Sequence, residues 1–370
     1  MIKLSALLLT TFSILAIVAC NKDGDKQEQT DPRVADRKAL LVNVADNIII
    51  PSFENTQSAV AAMKTAAENF TASPDAAKLQ TLRQQWQTAY LAWQKTELFH
   101  FGPADNATLR NYFNIYPTDI TLLNSHISSG TYDLEVLINN KVQGFPALDY
   151  LLNGLGNDDN SILAFYTVSA DAAKWKKYLT DITSIMTAKL ASVVTTWKST
   201  YRQQFVDNTG TGAGSSFSAL VNEYIMYFER FLRSGKYAIP AGAMSGTAAP
   251  EKVEVFYSKT LGTQMALTAL QAAEDFFLGK SFSTGTTGPG LKSYLQSLNA
   301  TALVTNIESQ FGIIETKANA LGSSIHQAIL NDRPAVLALY DEFQKQVRYF
   351  KVDMVSAIGI SITYTDNDGD

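Results

Sequence analysis

The chain has 370 residues, enough for two domain-sized cores. Lys and Arg total 30 against 35 Asp and Glu, and no basic cluster or stripe occurs, which excludes nucleic acid as a partner. The single cysteine, Cys20, excludes an internal disulfide, a cysteine-ligated zinc site and, once it is acylated, a cysteine nucleophile.

Lys3 precedes an apolar run, Leu4 to Val18, that closes on Ile17-Val18-Ala19-Cys20. The run is short for a membrane span and reads as an export signal. Small residues before a cysteine resemble the lipobox of bacterial lipoproteins. Residues 1–19 are therefore expected to be removed and Cys20 to carry lipid. Residues 20–31 form a charged tether. Asn21 after the cysteine points to the outer membrane, and Lys22-Asp23-Gly24-Asp25 resembles an acidic surface-export signal.

From residue 32 onward the pattern is helical. Asp31-Pro32 opens a helix that runs to about Phe70, which Pro51 is expected to kink. Ser73-Pro74-Asp75 starts a second, running to about His100. Residues 104–157 carry Asn, Gly and Pro throughout and predict short helices and loops. A long helix follows over about 170–206. The Gly-rich stretch 208–216 is the expected boundary between an N-terminal bundle (32–207) and a C-terminal bundle (217–370). Further helices are expected near 216–238, 251–278, 300–330 and 334–357. Ile360 to Tyr364 alternates like a strand but is too short to build a sheet. The fold class is all-α: two packed helical bundles with a cleft between them.

Leu79, Leu82, Trp86, Tyr90, Trp93 and Glu97 fall on one helical face, aromatic and ending in a carboxylate. Glu97 either reaches water at the helix end or points into the inter-bundle cleft. Glu254 and Ser258 lie one turn apart near the expected start of helix 251–278, where Pro250 and Glu251 suit a first turn. His100, His126 and His326 are far apart and form no H-E-x-x-H or Glu-x-x-His pair. They read as ordinary surface or core histidines. Glu97, Asp119 and Asp149 could together offer oxygen ligands to a hard cation such as iron or calcium. Asp366 to Asp370 lacks EF-hand spacing and reads as an acidic tail.

Gly144-Phe145-Pro146-Ala147-Leu148-Asp149 resembles the G-x-H-x-x-E signature of imelysin-like proteins, peptidase family M75, with Pro146 and Asp149 in the His and Glu places. Leu82-Arg83-Gln84-Gln85-Trp86, Trp93, Glu97 and Phe99 to Pro103 resemble the pattern preceding that signature. Tyr116-Pro117-Thr118-Asp119 resembles its tyrosine-proline-x-aspartate element. Lys236, Ile239 to Gly242, Pro250 to Glu254 and Tyr257-Ser258 resemble the second-domain pattern, and residues 361–370 a typical terminus. The resemblance implies an envelope protein of two helical bundles, often tied to iron uptake. It also implies a cleft lined by Arg83, Trp93, Glu97, Asp119, Asp149, Lys236, Glu254 and Ser258. Proline has no lone pair for a metal, so the expectation is a non-catalytic binding or accessory protein in iron or haem uptake, held to the membrane by its lipid. The alternatives are an M75-type metallopeptidase with replaced ligands and a structural module that meets other envelope proteins in a surface complex.

Overall fold

The first helix, α1 (32–72), does not break at Pro51. The computed structural model describes residues 32–365; Cys20, the expected leader and tether and the tail 366–370 lie outside them. Within α1, wide π turns at Val44–Ile49 lead directly into Ile50–Ala72, with Pro51 in the first turn of that segment. A widened turn already departs from the i−4 bonding pattern, so the proline ring and its missing N–H are accommodated without splitting the helix.

Asp75 caps α2 (Ala76–Gln94) by accepting from the Lys78 N–H at 2.8 Å. Its aromatic stripe is buried as the spacing predicts. The helix stops at Gln94 rather than near His100, and Glu97 sits in a separate 3₁₀ turn, Glu97–Phe99. Short helices follow at Pro103–Asn106 and Leu109–Phe113. Then come α3 (Ile120–Ser129), α4 (144–154), α5 (Asp159–Thr167) and α6 (172–207).

The Gly-rich loop runs from α6 to α7 (216–241), and Ser215 caps the new helix through the Ser218 N–H. The helix expected over 251–278 begins only at Gly262: Pro250–Lys252 is one 3₁₀ turn, an irregular segment follows, and α8 spans Gly262–Leu278. After α9 (Leu291–Ser297) and α10 (Thr301–Ala320), α11 (325–358) is one kinked helix. The expected break near residue 330 becomes a bend at Asp332 (φ −149°, ψ 61°), just ahead of Pro334. Proline disfavours the helical conformation upstream, and the Asp332 carboxylate re-caps the chain by accepting from Ala335 N–H at 3.2 Å.

The latter part of α1 packs with α2 and α6, with α5 alongside; α7, α8, α10 and α11 pack together as a second layer. α8 also packs on α2, and the first turns of α1 reach the second layer through Arg37 Nη1 to Tyr294 Oη (2.9 Å) and Asn43 Nδ2 to the Gly279 carbonyl (3.0 Å). The buried apolar side chains thus form one connected core from Leu40 to Ile360. Among the described residues there is no strand, only an isolated bridge between Lys280 and Thr287. The alternating segment 360–364 is irregular and is pinned by Asn222, whose amide bonds the Ser361 carbonyl and the Thr363 N–H.

Candidate functional site: a buried carboxylate network between the bundles

Polar side chains converge where the C-terminal end of α2, the Glu97–Phe99 turn, the helix Leu109–Phe113, α7 and the segment 253–258 meet. Gln94, Glu97, Arg110, Asn114, Glu223, Lys236 and Glu254 are all buried. The Lys236 ammonium pairs with Glu254 Oε2 and donates to Gln94 Oε1 at 2.8 Å. Glu254 Oε1 accepts from Gln94 Nε2 (2.9 Å) and Asn114 Nδ2 (2.8 Å). Asn114 Nδ2 also reaches both Glu97 oxygens at 3.3 and 3.2 Å, and its Oδ1 accepts from the Tyr90 hydroxyl. Arg110 donates to the Glu97 carbonyl (3.0 Å) and Glu223 Oε1 (2.9 Å), its guanidinium 3.7 Å from the centre of the Phe231 ring.

Three carboxyl groups here face two cations. Burial penalises the uncompensated charge, so protons are held where solvent would release them. Burial pushes Glu223 up to about 7 against the pull of Arg110. It also raises Glu97, against Arg110 and Lys236. Burial, reinforced by Glu254 and Glu97, raises the hydroxyls of Tyr90, Tyr116 and Tyr227 well above their ordinary value. Glu223 is thus a buried carboxyl that can hold a proton near neutral pH.

The segment 144–149 borders this network. Gly144 has φ +76°, and a Cβ there would stand 2.4 Å from the Phe113 carbonyl oxygen, so glycine is required. Pro146 fits the first turn of α4, where its missing N–H is not needed. The buried Asp149 carboxylate accepts from Tyr257 N–H (2.8 Å), Ser258 N–H (3.0 Å) and Asn153 Nδ2 (3.0 Å). Burial raises it to about 6, opposed by those bonds. Its role is to clamp the segment entering α8 onto α4. Tyr116, Pro146, Asp149, Glu254 and Tyr257 line a crevice of about 30 Å³, room for one or two waters.

The structure separates the residues that the sequence groups as one cleft. Glu97, Lys236 and Glu254 share the network, and Asp149 and Ser258 meet beside it. Glu254 and Ser258 stand in the irregular segment before α8, not at a helix start, because Pro250 launches only one turn. Trp93 is core, stacked on Phe113 at 4.5 Å. Arg83 does not bond to the network; it pairs with Asp159 (2.7 Å) and donates to the Leu152 carbonyl. Asp119 is exposed and caps α3 through the Leu122 N–H at 3.0 Å. The oxygen set of Glu97, Asp119 and Asp149 does not assemble: Asp119 is spent on a helix cap and Asp149 on backbone amides. Among the described residues no three His, Cys, Asp or Glu side chains are placed to hold a metal ion. A zinc ion does not fit the signature segment, since Pro146 offers no donor.

The histidines stay apart. Burial and Arg110 bring His100 down to about 3, so it is neutral; His126 stacks on Tyr132 and His326 packs edge-on to Phe256. Ser258 Oγ is buried without a hydrogen-bond partner, and no general base reaches it. Reading the sequence missed Gln94, Arg110, Asn114 and Glu223. Glu223 had a signal, one acid inside the apolar run Phe217 to Phe228; Arg110 and Asn114, in a region of short helices, had none.

The chain matches the family model described as imelysin, peptidase M75, over residues 49–350. It is 21% identical over 329 residues to the iron-regulated protein A of Synechococcus elongatus, covering 84% of this chain and 87% of the relative. Among solved structures it resembles a candidate iron-regulated protein A precursor from Parabacteroides distasonis, with TM-score 0.70 and 16% identity over 85% of this chain and 94% of that one. An imelysin-like protein from Psychrobacter arcticum gives TM-score 0.69 and 19% identity, covering 90% and 98%. At these identities the two structures bear on the fold alone.

Proposed function

Since the chain belongs to the imelysin family, we propose that it is a non-catalytic binding or accessory protein in iron or haem uptake, anchored in the bacterial cell envelope by lipid on Cys20. The observation that carries the non-catalytic reading is the state of the signature segment. Pro146 supplies no ligand, and both Asp149 oxygens already accept hydrogen bonds from Tyr257, Ser258 and Asn153. A catalytic zinc site needs about three protein ligands and an open position. The iron reading draws on the relative from Synechococcus, which carries the name iron-regulated protein A.

The test is metal and haem analysis of the purified full chain after dialysis against chelator. Titration with ferric iron, zinc, calcium and haem should show saturable iron or haem binding, no stoichiometric zinc and no chelator-sensitive proteolysis. Stoichiometric zinc, together with proteolysis abolished by Asp149→Ala, would overturn the reading in favour of the peptidase. The anchor is tested separately: Cys20→Ser should release the protein from the membrane fraction or leave the precursor uncleaved.

A further inference from the structure

A second cavity lies at the junction of the two layers, apart from the signature crevice. A cavity of about 680 Å³ opens between the C-terminal end of α2, α8, the end of α10 and the turn that follows α8. That volume suits a small organic molecule. Its apolar wall is made by Ile48, Phe99, Leu267 and Phe282. Four charged residues line it, and two of them, of unlike sign, have no ion-pair partner among the described residues. Lys95 is exposed, has no ion pair among the described residues, and lies 5.8 Å from the centre of the Phe282 ring. Glu315 is exposed and likewise has no ion pair among them.

We propose that this cavity is a binding site for a small zwitterion with an apolar body, of the class of amino acids and short peptides. Lys95 receives the carboxylate, Glu315 the ammonium, and the Phe99 and Phe282 rings flank the apolar side chain. A simple anion fits less well because Glu315 repels it, and a simple cation because Lys95 does. The remaining two charges in the wall, Lys280 and Asp275, pair with each other at 3.0 Å and add no net preference.

Calorimetric titration of the purified full chain with leucylphenylalanine as free zwitterion, N-acetylated and C-amidated forms tests the assignment. The zwitterion should bind saturably and each blocked form about threefold or more weaker, as expected for losing one partly solvated ion pair. Lys95→Met should erase the penalty for amidation and Glu315→Gln the penalty for acetylation. Both side chains are exposed, so the variants should keep the wild-type circular dichroism and melting temperature. Binding of all three forms with equal affinity, binding unchanged in both variants, or no saturable binding of the zwitterion overturns the proposal.

Discussion

Two groups of carboxylates in this molecule respond to their surroundings in opposite ways. At the junction, Glu223 is buried with Arg110 as its cation and is pushed up to about 7. On α11, Glu342 accepts from Lys317 (2.7 Å), Lys345 (2.9 Å) and Gln310 (2.9 Å) and is held down to about 2. Partner distances are similar in the two places, so distance does not decide the direction. The number of bonds set against burial does. Glu342 is also buried, but its bond to Lys317, backed by those from Lys345 and Gln310, outweighs the desolvation, whereas Glu223 has Arg110 alone. The junction seals three carboxyls with two cations, and desolvation wins. The lesson is that a charged pair seen at short range is no guide to stability until its share of neighbours and water is counted.

The contrast is broken most severely by unpairing the junction. Lys236→Met leaves Glu254 buried with only Gln94 and Asn114, and urea denaturation should show a loss of about 3–5 kcal/mol. Adding Glu254→Gln should restore more than half of it, since the orphaned charge goes too. If the single variant costs under 1 kcal/mol, the network is not sealed as described.

Glu223 and Glu342 should also differ in how they tie stability to pH. Folded Glu223 takes its proton near pH 7, the unfolded group near 4.5, so the native state binds more protons in that window. Its contribution to stability therefore rises as pH falls from about 7 to about 4.5, by an amount of order 2 kcal/mol. His100 works against this. It stays neutral in the fold to about pH 3, while an unfolded histidine charges near 6.5, so its contribution falls with pH. The difference between wild type and Glu223→Gln isolates the carboxyl. A flat difference curve from pH 7.5 to 4.5 would refute the assignment.

Glu342 should behave in the opposite sense. Its folded value lies below the unfolded 4.5, so its stabilisation is present above pH 4.5 and is lost as pH falls toward 2. Glu342→Gln should cost about 1 kcal/mol at pH 7, as suits partners half in water, and nothing at pH 2. The smallest effect belongs to Asp119→Ala, which removes one exposed helix cap. A loss of about 0.5–1 kcal/mol by thermal melting is expected, with iron or haem affinity unchanged. A selective loss of iron affinity in that variant would return Asp119 to the binding site.

Much of the helical order was legible because it is local. The stripe Leu79 to Trp93 repeats at helical spacing, Asp75 and Ser215 are capping residues in place, and Gly144 marks a positive φ. Boundaries failed where a longer-range contact outweighs local pattern. α2 stops early because Thr96 turns back to bond the Ser52 carbonyl and Thr56 on α1. The segment after Pro250 stays irregular because its amides are taken by Asp149, more than a hundred residues upstream.

The all-α class, the order of the long helices, the family resemblance and the loss of a donor at Pro146 could be read from the residues alone, since each rests on residue identity or on spacing within a few turns. Only the tertiary structure decided which polar groups meet. Asp119 and Arg83 drop out of the cleft, while Arg110, Asn114 and Glu223 enter the network, because burial and partner count depend on how α2, α7 and the segment before α8 pack. A carboxylate's proton affinity follows from that packing, and no local stretch of sequence contains it.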